Sequence, residues 1–325
     1  MKSTGKDEAA LTSYKEYTFP STDGHTRIHV SCWQPERVIG VVQLAHGIAE
    51  YGKRYEAFAE YLCDHGFAVV ANDHLGHGLS IADGQTPLFF SESNGWNHAV
   101  DDMEQLRSRT AAEFPDVPYF LFGHSMGSFL SRTYLIRYPG KLSGCILCGT
   151  GNPGAMTILG GKKVVAHEIK KVGKTGYSKK ADDLAFGSYN RKFSPNRTEA
   201  DWLSASESNV DTYLQDPQCG GKISAGLMQD LLDGLWLITR KKNLQRMDLS
   251  MPVLFIAGQD DPVGNMGRGV QKAHQNFLEV GVKDADIRLY DGLRHEILNE
   301  DSHMEVYTDI LVWLKQQIFL LSERW

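Results

Sequence analysis

The pentapeptide GHSMG at 123–127 gives the chain its clearest chemical signal. A serine flanked by glycines in a G-x-S-x-G pattern suits a sharp strand-to-helix turn that lifts a hydroxyl out of the backbone. Its surroundings agree: an apolar run at 119–122 precedes it, and a helical pattern at 128–138 follows. Gly123 and Gly127 remove side chains that would clash in so tight a turn. The turn also sets Ser125 at a helix N-terminus, where free N–H groups favour negative charge. A serine hydroxyl needs a base, and the base needs a partner to orient it. With the serine first, an acid and then a histidine are expected further along. After the apolar run 253–257 comes GQDDPVG at 258–264, which offers Asp260 and Asp261. Their placement favours Asp261. His295 is the only histidine between the strand pattern at 286–290 and the final helix. The expected relay has His295 take the Ser125 proton and return it to the leaving group, with Asp261 holding the imidazole. An anionic intermediate needs two N–H donors: Met126, directly after the serine, and Ile48, in the loop after the strand 39–45. Gly47 lets that loop approach substrate closely. His124 is expected to shape the turn. His74 and His77 form an H-x-x-H without an apparent third ligand, so neither metal nor cofactor is expected.

These residues need a frame that brings distant positions together. Apolar runs at 26–33, 39–45, 67–71, 119–122, 142–148, 251–257 and 286–290 read as strands. Helical periodicity marks 54–64, 98–114, 128–138, 223–240 and 303–322. Continuous apolar strands alternating with helices imply a mostly parallel central sheet flanked by helices, with sites beyond the strands' carboxyl ends. The alternation stops between about 151 and 247, an insertion too long for an ordinary loop. The expected organisation is a core of 1–150 and 248–325 with an inserted, mainly helical cap at 151–247.

Composition excludes several function classes. The chain has 325 residues, 42% hydrophobic and 23% charged, which suits one large globular enzyme. A net charge of -6 argues against nucleic acid. Five cysteines at irregular spacing make a poor disulfide framework, and Cys145 and Cys148 lie within a strand pattern, not at a helix start. The first ten residues have no apolar run, so no signal peptide is expected, and no run approaches a membrane span. A cytoplasmic location follows as the expectation. Lys162, Lys163, Lys170, Lys171 and Lys174 read as a solvated helix face.

Taken in order, HGIAEYGKRY at 46–55, DHLGHGLS at 73–80, GHSMG at 123–127, DPVG at 261–264 and RHE at 294–296 resemble the monoacylglycerol lipase and lysophospholipase branch of the α/β-hydrolase superfamily, a serine aminopeptidase S33-type group. The resemblance implies an α/β-hydrolase fold and supports Asp261 over Asp260. It also implies that 46–48 is the oxyanion loop and that the cap forms a lid over an acyl tunnel. Met156, Ile158, Leu159, Leu227, Leu231, Leu235 and Trp236 could line such a tunnel or simply pack the cap. Glu50 and Arg54 suit either a polar head group or an ion pair bracing the loop. The leading expectation is a serine hydrolase acting on small-molecule or single-chain lipid esters, monoacylglycerol or lysophospholipid, with brief membrane-surface contact through the cap. The alternatives are an amidase or aminopeptidase, for which Glu199, Asp201 and Glu207 could supply an anionic pocket, and a non-catalytic binding protein. Oligomeric state is not legible.

Overall fold

The computed structural model describes residues 13–323. The N-terminal stretch 1–10, from which no signal peptide was expected, lies outside the described residues. The chain runs through β1 (Ser13–Pro20), β2 (Arg27–Gln34), β3 (Gly40–Ala45), α1 (Glu56–Asp64), β4 (Phe67–Asn72), α2 (Gly95–Glu113), β5 (Tyr119–His124), α3 (Met126–Arg137) and β6 (Gly144–Cys148). There follow α4 (Ala155–Val172), α5 (Lys179–Ala185), α6 (Glu207–Gln215), α7 (Ala225–Ile238) and the short α8 (Lys241–Leu244), none separated by a strand of the sheet. Then come β7 (Val253–Gly258), α9 (Arg268–Val280), β8 (Ala285–Tyr290) and α10 (His303–Ser322).

The eight strands form one sheet in the order β1-β2-β4-β3-β5-β6-β7-β8. β1 and β2 pair antiparallel, as do β2 and β4; every other pair is parallel. This is the expected α/β-hydrolase architecture. Side-chain alternation splits the interior into two cores. Val41, Val70, Leu121, Leu147 and Phe255 face α2, α3 and α9 through Val100, Met103, Leu130, Tyr134, Val270 and Phe277. Val42, Val69, Phe122, Ile146 and Ile256 face α1 and α10 through Phe58, Leu62, Ile310 and Leu314. Cys145 and Cys148 fall on opposite cores, so the C-x-x-C is packing and not a redox pair.

Two elements escaped the sequence reading. β1 has one buried residue, Phe19, and exists through eight backbone pairings with β2, a non-local cause. In α9 the apolar face is only Val270, Ala273, Phe277 and Val280, amid polar residues.

Arg132, fully buried on α3, ties both ends of the helical insertion to the core. It donates to the Gly151 carbonyl (2.8 Å), Asn152 Oδ1 (3.0 Å) and the Ile238 carbonyl at the end of α7 (3.2 Å). No carboxylate pairs with it among the described residues, and burial pushes the guanidinium down to about 9. No helix among the described residues is long and apolar enough to cross a membrane.

Candidate active site

The turn between β5 and α3 holds Ser125 at φ 53°, ψ -121°. This conformation is costly for a residue with a Cβ and persists only where its surroundings enforce it. They do so here. The Ser125 N–H donates to the Cys148 carbonyl (3.0 Å), and the Ser128 hydroxyl donates to the Ser125 carbonyl (2.6 Å). A Cβ at Gly127 would fall on the Ala45 carbonyl oxygen, and one at Gly123 would lie 2.5 Å from that of Gly127. Both glycines therefore serve close backbone approach.

β7 ends beside Asp261, and the loop after β8 carries His295. His295 Nδ1 meets Asp261 Oδ2 at 2.9 Å, with both residues buried. Asp261 Oδ1 accepts the Val263 N–H at 2.8 Å, which fixes the carboxylate. Asp260 points outward, 3.5 Å from Lys192 Nζ. The His295 ring lies between those of His124 and Trp202, with centroids 4.7 and 5.2 Å away. Its Nε2 is left for the small cavity that it lines together with Ser125. The Ser125 hydroxyl makes no hydrogen bond among the described residues; catalytic contacts of this kind commonly tighten only when substrate binds.

The loop after β3 is held by buried charge. Glu50 Oε1 accepts the Gly47 N–H (2.5 Å) and the Tyr55 hydroxyl (2.9 Å), and lies 3.3 Å from His124 Nδ1. Arg54 donates to Glu50 Oε2 (2.7 Å) and to both oxygens of Glu296 (2.9 and 3.1 Å). Burial alone would neutralise these groups, but each finds an opposite charge. Glu50 stays well below the usual carboxylate range through His124 and Arg54, and Glu296 is lowered by Arg54. For His124, burial opposes protonation, yet the hydrogen bond and charge of Glu50 raise it. Its Nε2 then donates to the His295 carbonyl (3.2 Å). The Ile48 N–H makes no hydrogen bond among the described residues. Met126 opens α3, so its N–H has no carbonyl one turn back. Behind the loop, the His46 ring packs on those of His74 (4.2 Å) and His77 (5.4 Å). Burial lowers all three, His77 to about 3.

Ser125 stands where two chambers meet. The larger, about 610 Å³, runs under α4 and α7 and is walled by Met126, Phe129, Ile158, Val165, Met228, Leu231 and Leu235. The smaller, about 160 Å³, is lined by Gly47, Glu50, His124, Asp182, His295 and Glu296. Ile48, Ser125, Phe186 and Trp202 belong to both.

The structure thus gathers Ser125, His295, Gly47, Ile48, Met126 and Glu50 on the walls of the two adjoining chambers, with Asp261 behind His295. Arg54 is spent on its two glutamates. Trp236 is a correction: it lines neither chamber, because its place on α7 turns its ring toward the Arg240 guanidinium, 3.5 Å from the centroid. Trp202 carries no signal in the sequence, and Glu296 stands out there only as part of the RHE block. Trp202 lies in a polar, irregular stretch without periodicity, so nothing local marks it. Asp201 binds the backbone at Arg197 and Thr198 instead of forming an anionic pocket.

A family model described as serine aminopeptidase, S33, matches residues 36–302. The chain is 29% identical over 303 residues to the monoacylglycerol lipase of Mycolicibacterium smegmatis, spanning 92% of this chain and 96% of that protein. It is 26% identical over 301 residues to the monoglyceride lipase of Rattus norvegicus, spanning 90% and 88%. Among solved structures, it superposes on a thermostable carboxyl esterase from Bacillus coagulans in complex with glycerol, with a TM-score of 0.88 and 27% identity over 94% of this chain and 99% of that one.

Proposed function

Since the chain belongs to the serine aminopeptidase S33 family, we propose that it cleaves monoacylglycerols through an acyl-enzyme on Ser125. It is a carboxylic-ester hydrolase of the monoacylglycerol lipase-like branch, and lipid esters are its substrate class. The observation that carries the finer reading is the position of Ser125 on the wall shared by a large apolar chamber and a small polar one.

The chemistry assigns the chambers. In the first step, Ser125 Oγ attacks the ester carbonyl and His295 Nε2 takes its proton, while Asp261 stabilises the imidazolium. The N–H groups of Ile48 and Met126 hold the oxyanion. His295 then protonates the leaving alcohol as its bond to the acyl carbon breaks. Water, activated by the same imidazole, releases the fatty acid and restores Ser125. The alcohol must leave on the His295 side, which is the small chamber; the acyl chain occupies the large one. In this reading residues 151–247 act as a cap that roofs the acyl chamber, and exposed Met156 and Leu184 offer the cap an apolar contact with a lipid surface.

The size and charge of the small chamber favour a neutral polyol. With Glu50 and Glu296 paired to Arg54 and His124, Asp182 is the carboxylate that would oppose a phosphate-bearing head group, which ranks monoacylglycerol above lysophospholipid. The glycerol complex of the Bacillus coagulans relative supports the same choice. An aminopeptidase must hold the ammonium group of its acyl residue, and no carboxylate lines the acyl chamber. Turnover of monoacylglycerol, lysophosphatidylcholine and amino-acid anilides tests the ranking, with monoacylglycerol expected first. Labelling by a fluorophosphonate should vanish in Ser125→Ala. Faster turnover of the lysophospholipid would overturn the head-group assignment, and undiminished labelling of the variant would overturn the nucleophile.

A further inference from the structure

The acyl chamber is apolar over most of its wall, but one end is not. There Asn152, Asn265, Arg268 and Lys272 line it. Among the described residues no aspartate or glutamate lines the chamber, although acidic residues outnumber basic ones in the chain, 40 to 34. Arg268 and Lys272 stand one turn apart on α9, and neither forms an ion pair among the described residues. Asn152 is oriented from behind. Its Oδ1 accepts from Arg132 (3.0 Å) and lies 3.4 Å from Asn276 Nδ2, so its amide N–H2 is the end left unbonded. The groups available at this end are therefore the Asn152 amide donor, the Asn265 side chain and two cations.

A purely hydrocarbon tail gains nothing from such a wall, whereas Arg268 and Lys272, both solvent-exposed, can meet an anion at little desolvation cost. In the small chamber Glu50 and Glu296 are paired with Arg54 and His124, and Asp182 forms no ion pair among the described residues. The unpaired charges at the two ends of the site thus differ in sign, with Ser125 between them.

We propose that the acyl chamber accepts acyl groups ending in an anion, with Arg268 and Lys272 as the residues that select them, so that monoesters of dicarboxylic acids are substrates. This rests on the assignment of the large chamber to the acyl group. The reaction is unchanged: the acyl C–O bond breaks, water supplies hydroxyl to the acyl carbon and a proton to the alcohol, and the products are a dicarboxylate and glycerol. An exposed ion pair of middling strength contributes about a threefold preference, and the factors multiply, so the two cations together are worth roughly tenfold.

The test compares kcat/KM for glyceryl monoesters of adipic, suberic and sebacic acids with those of neutral fatty acids of equal length. The wild-type chain should favour the anionic series at one length, the one whose carboxylate reaches α9, and added salt should weaken that preference. In Arg268→Gln/Lys272→Gln the ratio of anionic to neutral turnover should fall about tenfold. Arg268→Lys should restore part of it. An unchanged ratio in the double variant, or a wild-type preference for the neutral series at every length, overturns the proposal. A charge effect confined to vesicles of anionic lipid also overturns it, because the cations would then act on the surface and not on the acyl tail. Failure to cleave any neutral glyceryl ester would instead remove the parent reading of the site.

Discussion

Replacing Glu50 by glutamine changes almost no volume but removes the charge on which the oxyanion loop depends. In the wild-type chain one carboxylate receives the Gly47 N–H, the Tyr55 hydroxyl, Arg54 and His124. In Glu50→Gln one oxygen survives as an acceptor, while an NH2 group meets the Arg54 guanidinium where Oε2 lay 2.7 Å away. A hydrogen bond to a charged partner is worth about 1.5–3 kcal/mol, and Arg54 keeps both bonds to Glu296, so a stability loss of about 2 kcal/mol is expected. The catalytic loss should be larger in proportion. Repulsion between that NH2 group and Arg54 should turn the amide and weaken its grip on the Gly47 N–H, so the Gly47–Ile48 segment can shift, and a misplaced oxyanion donor costs about a hundredfold in kcat or more. KM should move only a few-fold, because the acyl chamber is untouched. His124 supplies an independent readout. Without the carboxylate, burial prevails and the imidazole becomes neutral, so its NMR titration should shift from above the ordinary histidine value to below it. The assays are urea unfolding, ester kinetics and that titration. Wild-type kcat in a folded Glu50→Gln protein would refute the argument, whatever its stability.

Three further outcomes follow from the geometry. Asp261→Asn should cut kcat by orders of magnitude in a folded protein, whereas Asp260→Asn, at an exposed position, should stay within a few-fold; ester kinetics on both variants decide. The fold should weaken in acid. The buried imidazoles of His46, His74 and His77 titrate below their unfolded value of about 6.5, so the unfolded state binds more protons as pH falls below it, and for His77 this continues to about 3. Each contributes up to about 1.4 kcal/mol per pH unit in that window; His29 and His124, both raised, are charged in either state there and add no slope. Urea midpoints at pH 7 and pH 5 measure this, and equal midpoints would contradict it. Met228→Trp should fill the acyl chamber, abolishing turnover of long-chain esters while a p-nitrophenyl acetate control remains active.

The legible parts of the molecule were those with local causes. The periodicity of α10 predicted 303–322, and the helix spans His303–Ser322. The parallel strands announced themselves because burial on both faces leaves unbroken apolar runs, as in Phe67–Asn72. Ser125 and Asp261 could be placed beyond strand ends because each follows such a run, and His295 because it follows β8. What stayed hidden depends on distant partners. β1 is a strand because β2 pairs with it. Glu50 and Arg54 could not be divided between bracing and binding until Glu296, 242 positions beyond Arg54, came into contact. Trp202 reaches His295 from a segment whose own residues favour no regular element. Trp236 failed as a tunnel residue because helical spacing gives a face but not which neighbour that face meets.

The buried guanidinium of Arg132 has a mechanical consequence. It grips the outgoing strand end at Gly151 and Asn152 and the returning helix end at Ile238 with one side chain. Swinging the whole roof away would strip that cation of its acceptors in a dry interior, a penalty of several kcal/mol. Any swing of the segment that keeps those anchors must bend it within the span between them. A roof so held is a sprung awning fixed at both posts, and not a door on a hinge.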